Sequence, residues 1–205
     1  VPTAEDVKET DFIGYENLSS DSNVIAIWNK NEKVELANEP QEYFIALNQT
    51  SIYAESGGQV GDRGMFKSKN AEGSILDCKK SGKVFMHLIK LDKGSLKIDD
   101  KIEVNVNIEK REKTEAHHSA THLVHAALKR VLGDHVKQKG SLVDEHKLRF
   151  DFSHDESLSD EEISKIEDLV NKEILKNSAV STKIMDLEDA KNSGAESLFG
   201  EKYED

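Results

Sequence analysis

Apolar positions along this chain follow two different periods. In the first half they gather in short runs rich in β-branched and aromatic residues: VIAIW (24–28), EYFIAL (42–47), SILDC (74–78), KVFMHLI (83–89) and KIEVNVNI (101–108). The last run alternates at Ile102, Val104, Val106 and Ile108, the period of a half-buried strand. Turn residues separate the runs at Asn29-Lys30-Asn31, Gly57-Gly58, Gly73-Ser74, Ser81-Gly82 and Lys93-Gly94. Short strands at this spacing predict a small barrel or sandwich. The stretch GSLKIDDKIEVNVN (94–107) reads as the closing strand pair of a barrel.

Beyond this point the period changes. From Thr114 to Leu132 the pattern is helical, with Ala116, Ala120, Leu123, Ala127 and Val131 on neighbouring faces and Gly133 placed to stop it. LRFDF (148–152) alternates as a strand, with Leu148, Phe150 and Phe152 on one side. Ser159 to Glu162 forms a capping box, and Ile163, Ile166, Leu169, Val170 and Ile174 follow at helical spacing to an end at Asn177. AVSTKIMD (179–186) reads as a strand, and a short helix over 187–193 precedes Gly194. The fold class expected is α+β. A small β-barrel domain over 1–108 precedes an α+β layered-sandwich domain over 109–205.

Composition narrows the class. The chain has 205 residues, with 33% charged and 36% hydrophobic, and no run approaches the roughly 18 apolar residues of a membrane span. A soluble protein with no membrane partner is expected. The single cysteine, Cys78, rules out a disulfide framework, suits a reducing compartment and reads as a buried structural thiol. The start has no signal peptide and no initiator Met, so the chain reads as a piece of something longer.

The net charge of −12 argues at first against a nucleic-acid partner. Its distribution changes the picture. Residues 1–108 carry 13 basic and 18 acidic groups (net −5), residues 109–150 carry 9 and 6 (net +3), and residues 151–205 carry 6 and 16 (net −10). Six of the eight histidines also lie within 109–150. Any RNA contact is expected there, and to be sensitive to salt.

Three stretches can carry chemistry. In HHSATHLVH (117–125), His118 and His122 lie four apart on a predicted helix, so both imidazoles share one face and can hold one metal ion, with zinc the natural choice. Two histidines fall short of zinc's usual ligand set, and such a pair also arises by chance, so spacing alone leaves both readings open. Thr121 sits beside them, either facing the same cavity or as an ordinary helix residue. His117 and His125 add little, and a core role suits His125. In AESGGQVGD (54–62), Gly57, Gly58 and Gly61 permit positive φ and close backbone approach, although a plain turn gives the same composition. It lacks the Gly-Lys-Ser/Thr ending of a phosphate loop. In HVKQKGS (135–141), Lys137 and Lys139 join Lys147 and Arg149 in a basic patch, either a solvated loop or a strip that touches phosphate.

Taken together and in order, YAESGGQVGD, HHSATHLVHAAL and QKGSLV…LRFDFSH resemble the editing region of alanyl-tRNA synthetase, shared in part with free-standing alanyl-tRNA editing proteins. The resemblance runs from about Glu9 to Asp205. DFIGYENLSSDSNVIAIW is similar to the family's entry into that region, and SLFGEKYED to the run-up to its final motif. It implies a barrel followed by an editing domain of the threonyl/alanyl-tRNA synthetase type. It also implies a cytoplasmic enzyme whose partner is tRNA(Ala) rather than DNA, and which hydrolyses wrongly made Ser-tRNA(Ala) and Gly-tRNA(Ala). The family's zinc ligands then begin with His118 and His122. Thr121 and Gln138 shape the reaction pocket, and Gly57, Gly58 and Gln59 approach it; Lys137 and Lys139, from the basic patch, are the candidates for substrate phosphate. ATP and magnesium belong to the acylation core of the full-length enzyme. The family's Cys-x-x-x-His pair, its remaining zinc ligands, has no counterpart before the last residue. Zinc binding by this chain is therefore expected to be weak or absent. Ser51-Ile52 replaces the family's common Pro-Phe. Three other readings compete: a free-standing trans-editing deacylase, a non-catalytic RNA-binding module, and an unrelated zinc hydrolase. The third lacks a glutamate between the histidines.

Overall fold

The computed structural model describes residues 1–176. Its elements in chain order are β1 (Asp11–Phe12), β2 (Ser19–Asn29), β3 (Glu32–Val34), β4 (Leu36–Ala37), β5 (Glu42–Leu47), β6 (Gln49–Thr50), β7 (Gly64–Ser68), β8 (Ala71–Ser81), β9 (Val84–Gly94), β10 (Leu96–Lys97), β11 (Lys101–Val106), α1 (Ile108–Leu132), β12 (Gln138–Val143), β13 (Leu148–Phe152) and α2 (Asp160–Leu175). The expected strand over 179–186, the helix over 187–193 and the helix end at Asn177 lie outside the described residues.

Contacts divide the chain into two units. One holds Val1–Ser56 and Val60–Glu112, the other Gly57–Gln59 and the residues from Lys113 onward. A sequence boundary at 108 differs from this in two ways. Arg111 is buried among barrel groups and keeps the first turn of α1 with the first unit. Gly57–Gln59 leave the barrel and pair with β12.

The first unit is a closed barrel. Its strands run β11-β7-β8-β9-β5-β2, all neighbours antiparallel, and β11 returns to pair with the first half of β2, from Lys101↔Asn23 to Asn105↔Ser19. Closure pairs the backbone polar groups that an open sheet would leave on its edges. Val24, Ile45, Leu47, Phe66, Ile75, Ile89, Leu91, Ile102 and Val104 are among the residues that fill one core. Ala26, Trp28, Ala46, Val84 and Met86 form a second cluster, with Ala4 and Val7 of the N-terminal segment packed on it. Strands β2, β5 and β9 contribute to both clusters and so read as nearly unbroken apolar runs. Strand β11 buries only Ile102, Val104 and Val106, and so alternates.

Three expectations need correction here. The tail over 94–107 is not a closing strand pair: β10 joins β4 in a separate two-stranded sheet, and β11 alone closes the barrel. Strand β7 was not foreseen, because GMFKS buries only Phe66 and leaves Met65 exposed. Ile108 continues the alternation in sequence yet opens α1. The Asn107 side chain accepts from Lys110 N at 3.0 Å, and the Arg111 N–H bonds the Asn107 carbonyl at 3.1 Å, which caps the helix six residues earlier than its apolar pattern begins.

The second unit contains the rest of α1, the antiparallel hairpin β12–β13 and α2. Gly133 ends α1 at φ +123°, its N–H bonding the Lys129 carbonyl at 2.9 Å. Ala127, Leu128, Val136 and Ile166 form the buried core, with Val124, Val131, Phe150, Phe152, Leu169 and Val170 packed around it. On α2, Ile163 and Ile174 are exposed among the described residues, since they stand at one edge of the stripe centred on Ile166. The capping box forms as expected: Glu162 N donates to Ser159 Oγ at 3.1 Å, and Ser159 N donates to Glu162 Oε1 at 3.0 Å. Ser159→Ala should therefore lower stability by about 1 kcal/mol in urea unfolding, whereas Ser159→Asp, which keeps the acceptor, should lose only a few tenths. No helix among the described residues is long and apolar enough to cross a membrane.

Candidate functional site

Helix α1 carries a buried polar line on one face. Thr114, Thr121 and His125 are buried, and His118 lies between them, half-buried, at the same helical spacing. His125 packs its ring on Phe150 with centres 5.0 Å apart, which places it in the core. Thr121 donates its hydroxyl proton to the His117 carbonyl at 2.9 Å, so its oxygen faces other groups as an acceptor. His117 donates Nδ1–H to the Asp144 carbonyl at 2.8 Å and ties the helix to the hairpin turn.

His118 and His122 stand one turn apart with ring centres 5.1 Å apart and planes tilted by 52°. His122 is exposed. Burial, and then the neighbouring His122, holds His118 below the ordinary imidazole pKa, so the neutral, ligand-competent ring is favoured near pH 7. His118 Nδ1 lies 2.7 Å from Gln59 Oε1.

Gln59 comes from the glycine-rich stretch, which the fold holds against the hairpin through its backbone. Val143 N–H bonds the Gly58 carbonyl at 2.9 Å, and Gln59 bridges Val143 in parallel. Gly57 and Gly58 adopt φ +56° and +82°. A Cβ on Gly58 would stand 2.6 Å from the Ser141 carbonyl oxygen, so only glycine fits there.

Other sequence candidates lie in the same unit. Gln138 opens β12 opposite Phe152, beside a bulge between Gln138 and Gly140, and its side chain bonds neither histidine among the described residues. Lys137 and Lys139 are exposed on either side of it, and Lys137 N bonds Ser153 Oγ at 3.1 Å. Arg149 is partly offset by an exposed pair with Asp151 at 3.1 Å. Among the described residues no group of three or more His, Cys, Asp or Glu could hold a metal. Cys78 is fully buried in the barrel, where burial, Asp77 and Asp62 push its thiol pKa up and leave it inert.

Two relationships had no signal in the sequence. One is the meeting of Gln59 with His118. The other joins His135 Nε2 and His154 Nδ1 at 2.8 Å. The 5.1 Å between those ring centres is what an end-to-end N–H···N bond produces, so the two imidazoles share one proton.

A family model described as tRNA synthetases class II (A) matches residues 2–111, more than half of the chain. The chain belongs to the class II (A) tRNA synthetases. It is also 47% identical, over 196 residues, to the alanine–tRNA ligase of Pseudomonas fluorescens. That alignment covers 96% of this class II (A) chain and 22% of the relative, so the chain spans about a fifth of the relative's length. The family match covers the barrel and the first turn of α1, whereas the histidines lie beyond it, within the longer alignment.

Proposed function

We propose that this chain is the editing region of an alanine–tRNA ligase, acting in the cytoplasm on Ser-tRNA(Ala) and Gly-tRNA(Ala). Small apolar pockets discriminate poorly between amino acids of similar size, and a second, hydrolytic site removes the wrong products. The observation that carries this reading is the convergence of His118, His122 and Gln59 in one unit, with the glycine-rich loop closed against the hairpin. ATP- and magnesium-dependent attachment of alanine is proposed for the whole enzyme, not for these residues.

The histidines fit part of a zinc site, two of the three or four protein ligands that zinc usually takes, and the described residues offer no third. Both rings are one turn apart on one helix, and among the described residues His118 has only Nδ1 engaged, which leaves Nε2 to coordinate. Zinc bound there would supply Lewis-acid chemistry for ester hydrolysis. Thr121 contributes selectivity. With its own proton given to His117, its oxygen accepts a hydrogen bond from the hydroxyl of serine, which alanine's methyl cannot offer. Lys137 and Lys139 hold the phosphates of the acceptor end by charge.

The test is Ser-tRNA(Ala) hydrolysis by the full-length protein bearing this chain. His122→Ala should lower the rate at least about 100-fold, as a chelator should. Thr121→Phe should abolish it by filling the pocket. A rate unmoved by His122→Ala and chelator overturns the zinc site, and one unmoved by Thr121→Phe overturns the pocket.

A further inference from the structure

We infer that Gln59 is a positioning residue for His118: its side-chain oxygen fixes the imidazole proton on Nδ1 and so aims Nε2 as the metal ligand. The inference rests on reading His118 as a zinc ligand and adds the residue that prepares it.

A neutral imidazole carries one proton on one of two nitrogens, and only the bare nitrogen can coordinate. In water the proton prefers Nε2, which would block the atom that a helix-borne histidine presents outward. Here Nδ1 faces Gln59 Oε1 at 2.7 Å, and an amide oxygen only accepts, so the proton must sit on Nδ1. Burial strengthens this choice. Gln59 is 8% exposed and His118 is half-buried, so water competes weakly for either group.

The loop is suited to this task. Its place is set by backbone, through the Gly58 carbonyl on Val143 N–H and the bridge from Gln59 to Val143. Gly58, in the left-handed region, brings the chain close to Ser141. Among the described residues the Gln59 side chain is thus left to its hydrogen bond with the ring. Metal-bound histidines commonly have their second nitrogen held by a carboxylate or carbonyl oxygen. Gln59 is the group in that position here. Among the described residues no hydrogen bond of this kind holds His122, whose ring is exposed.

The tautomer can be read without metal or substrate, by long-range 1H–15N NMR of the histidines in this chain. The native chain should show His118 protonated at Nδ1. Gln59→Ala should move the proton to Nε2, while Gln59→Glu, which keeps an acceptor oxygen, should retain it on Nδ1. His135 and His154 serve as internal controls, since neither variant touches their shared proton. Zinc affinity of the full-length protein, measured against a competing chelator, should fall about 10–100-fold in Gln59→Ala and recover in Gln59→Glu.

A loop anchor with no role toward the ring would leave the tautomer unchanged in both variants, and that result overturns the inference. So does Nε2 protonation in the native chain, which would mean that the amide donates rather than accepts. Failure of the native full-length protein to bind zinc would instead overturn the zinc reading, with the tautomer result standing by itself.

Discussion

Replacing Arg111 by methionine should cost the barrel unit about 3–5 kcal/mol, a loss comparable with a small domain's whole margin. Arg111 enters from the first turn of α1 and is almost fully buried, as is its partner Asp62. Its Nε donates to Asp62 Oδ2 at 3.1 Å, one terminal nitrogen donates to the Gly14 carbonyl at 2.7 Å, and the other is shared between the Ser51 carbonyl and Asp62. The Tyr53 N–H also donates to the same carboxylate oxygen at 2.7 Å. Removing the cation strands a buried carboxylate and strips donors from two buried carbonyls at once. Asp62→Asn should likewise be costly, because it leaves the guanidinium buried without a counter-charge. The double variant should lose less than the two singles summed, since neither charge is then stranded. Urea unfolding followed by fluorescence reports this unit directly, because the one tryptophan, Trp28, is buried in it. A single-variant loss below about 1 kcal/mol, as for an exposed pair, would show that the network is not structural.

Acid should weaken the same unit through His87. This ring is fully buried and held neutral, with its pKa lowered to about 4 chiefly by burial. Its Nδ1–H donates to the Ile45 carbonyl at 3.3 Å, and its Nε2 accepts from Thr50 Oγ1 at 2.9 Å. Thr50 in turn accepts from Ile52 N at 3.1 Å, so the neutral ring that burial favours has both of its nitrogens satisfied. The folded pKa lies below the unfolded value near 6.5. As pH falls through 6.5 the unfolded chain gains a proton that the folded chain refuses until about pH 4. Stability present at pH 7 is therefore lost across that window, by about 3 kcal/mol from this residue. His87→Gln keeps a hydrogen-bonding side chain and removes the titration. The difference in unfolding free energy between native and variant should shrink or reverse by that amount from pH 7 to pH 4. Parallel pH curves would defeat the prediction. Comparing the two proteins removes the contribution of exposed carboxylates such as Glu161 and Glu173, which lose their favourable pairs in acid in both.

Local chain geometry explains why much of the fold could be read from residue order. Strands β2, β5, β8, β9 and β11 and helices α1 and α2 each contain the run or period that predicted them. The capping box at Ser159 and the stop at Gly133 work within a few residues of chain, and both appear as read. The misread elements lack such a local signal. Strand β7 buries one side chain and exists because β11 and β8 flank it. Ile108 fits a strand by period and belongs to a helix because Asn107 caps there.

The candidate site divides the same way. The i,i+4 placement of His118 and His122 follows from helix geometry alone, and the order of the three motifs pointed to the family that the comparison then matched. Which atom of His118 is held, and by what, depends on residues 59 positions apart. Arg111 reaches Asp62 across 49 positions, and His87 meets Thr50 across 37. Sequence by itself determined the long elements, their periods and the family, because these depend on neighbours along the chain. Only the tertiary structure decided barrel closure, the buried ion pair, the neutral His87 and the Gln59–His118 bond. Each of these forms where chain closure brings distant polar groups together in space that water has left, and no local pattern of residues records that meeting.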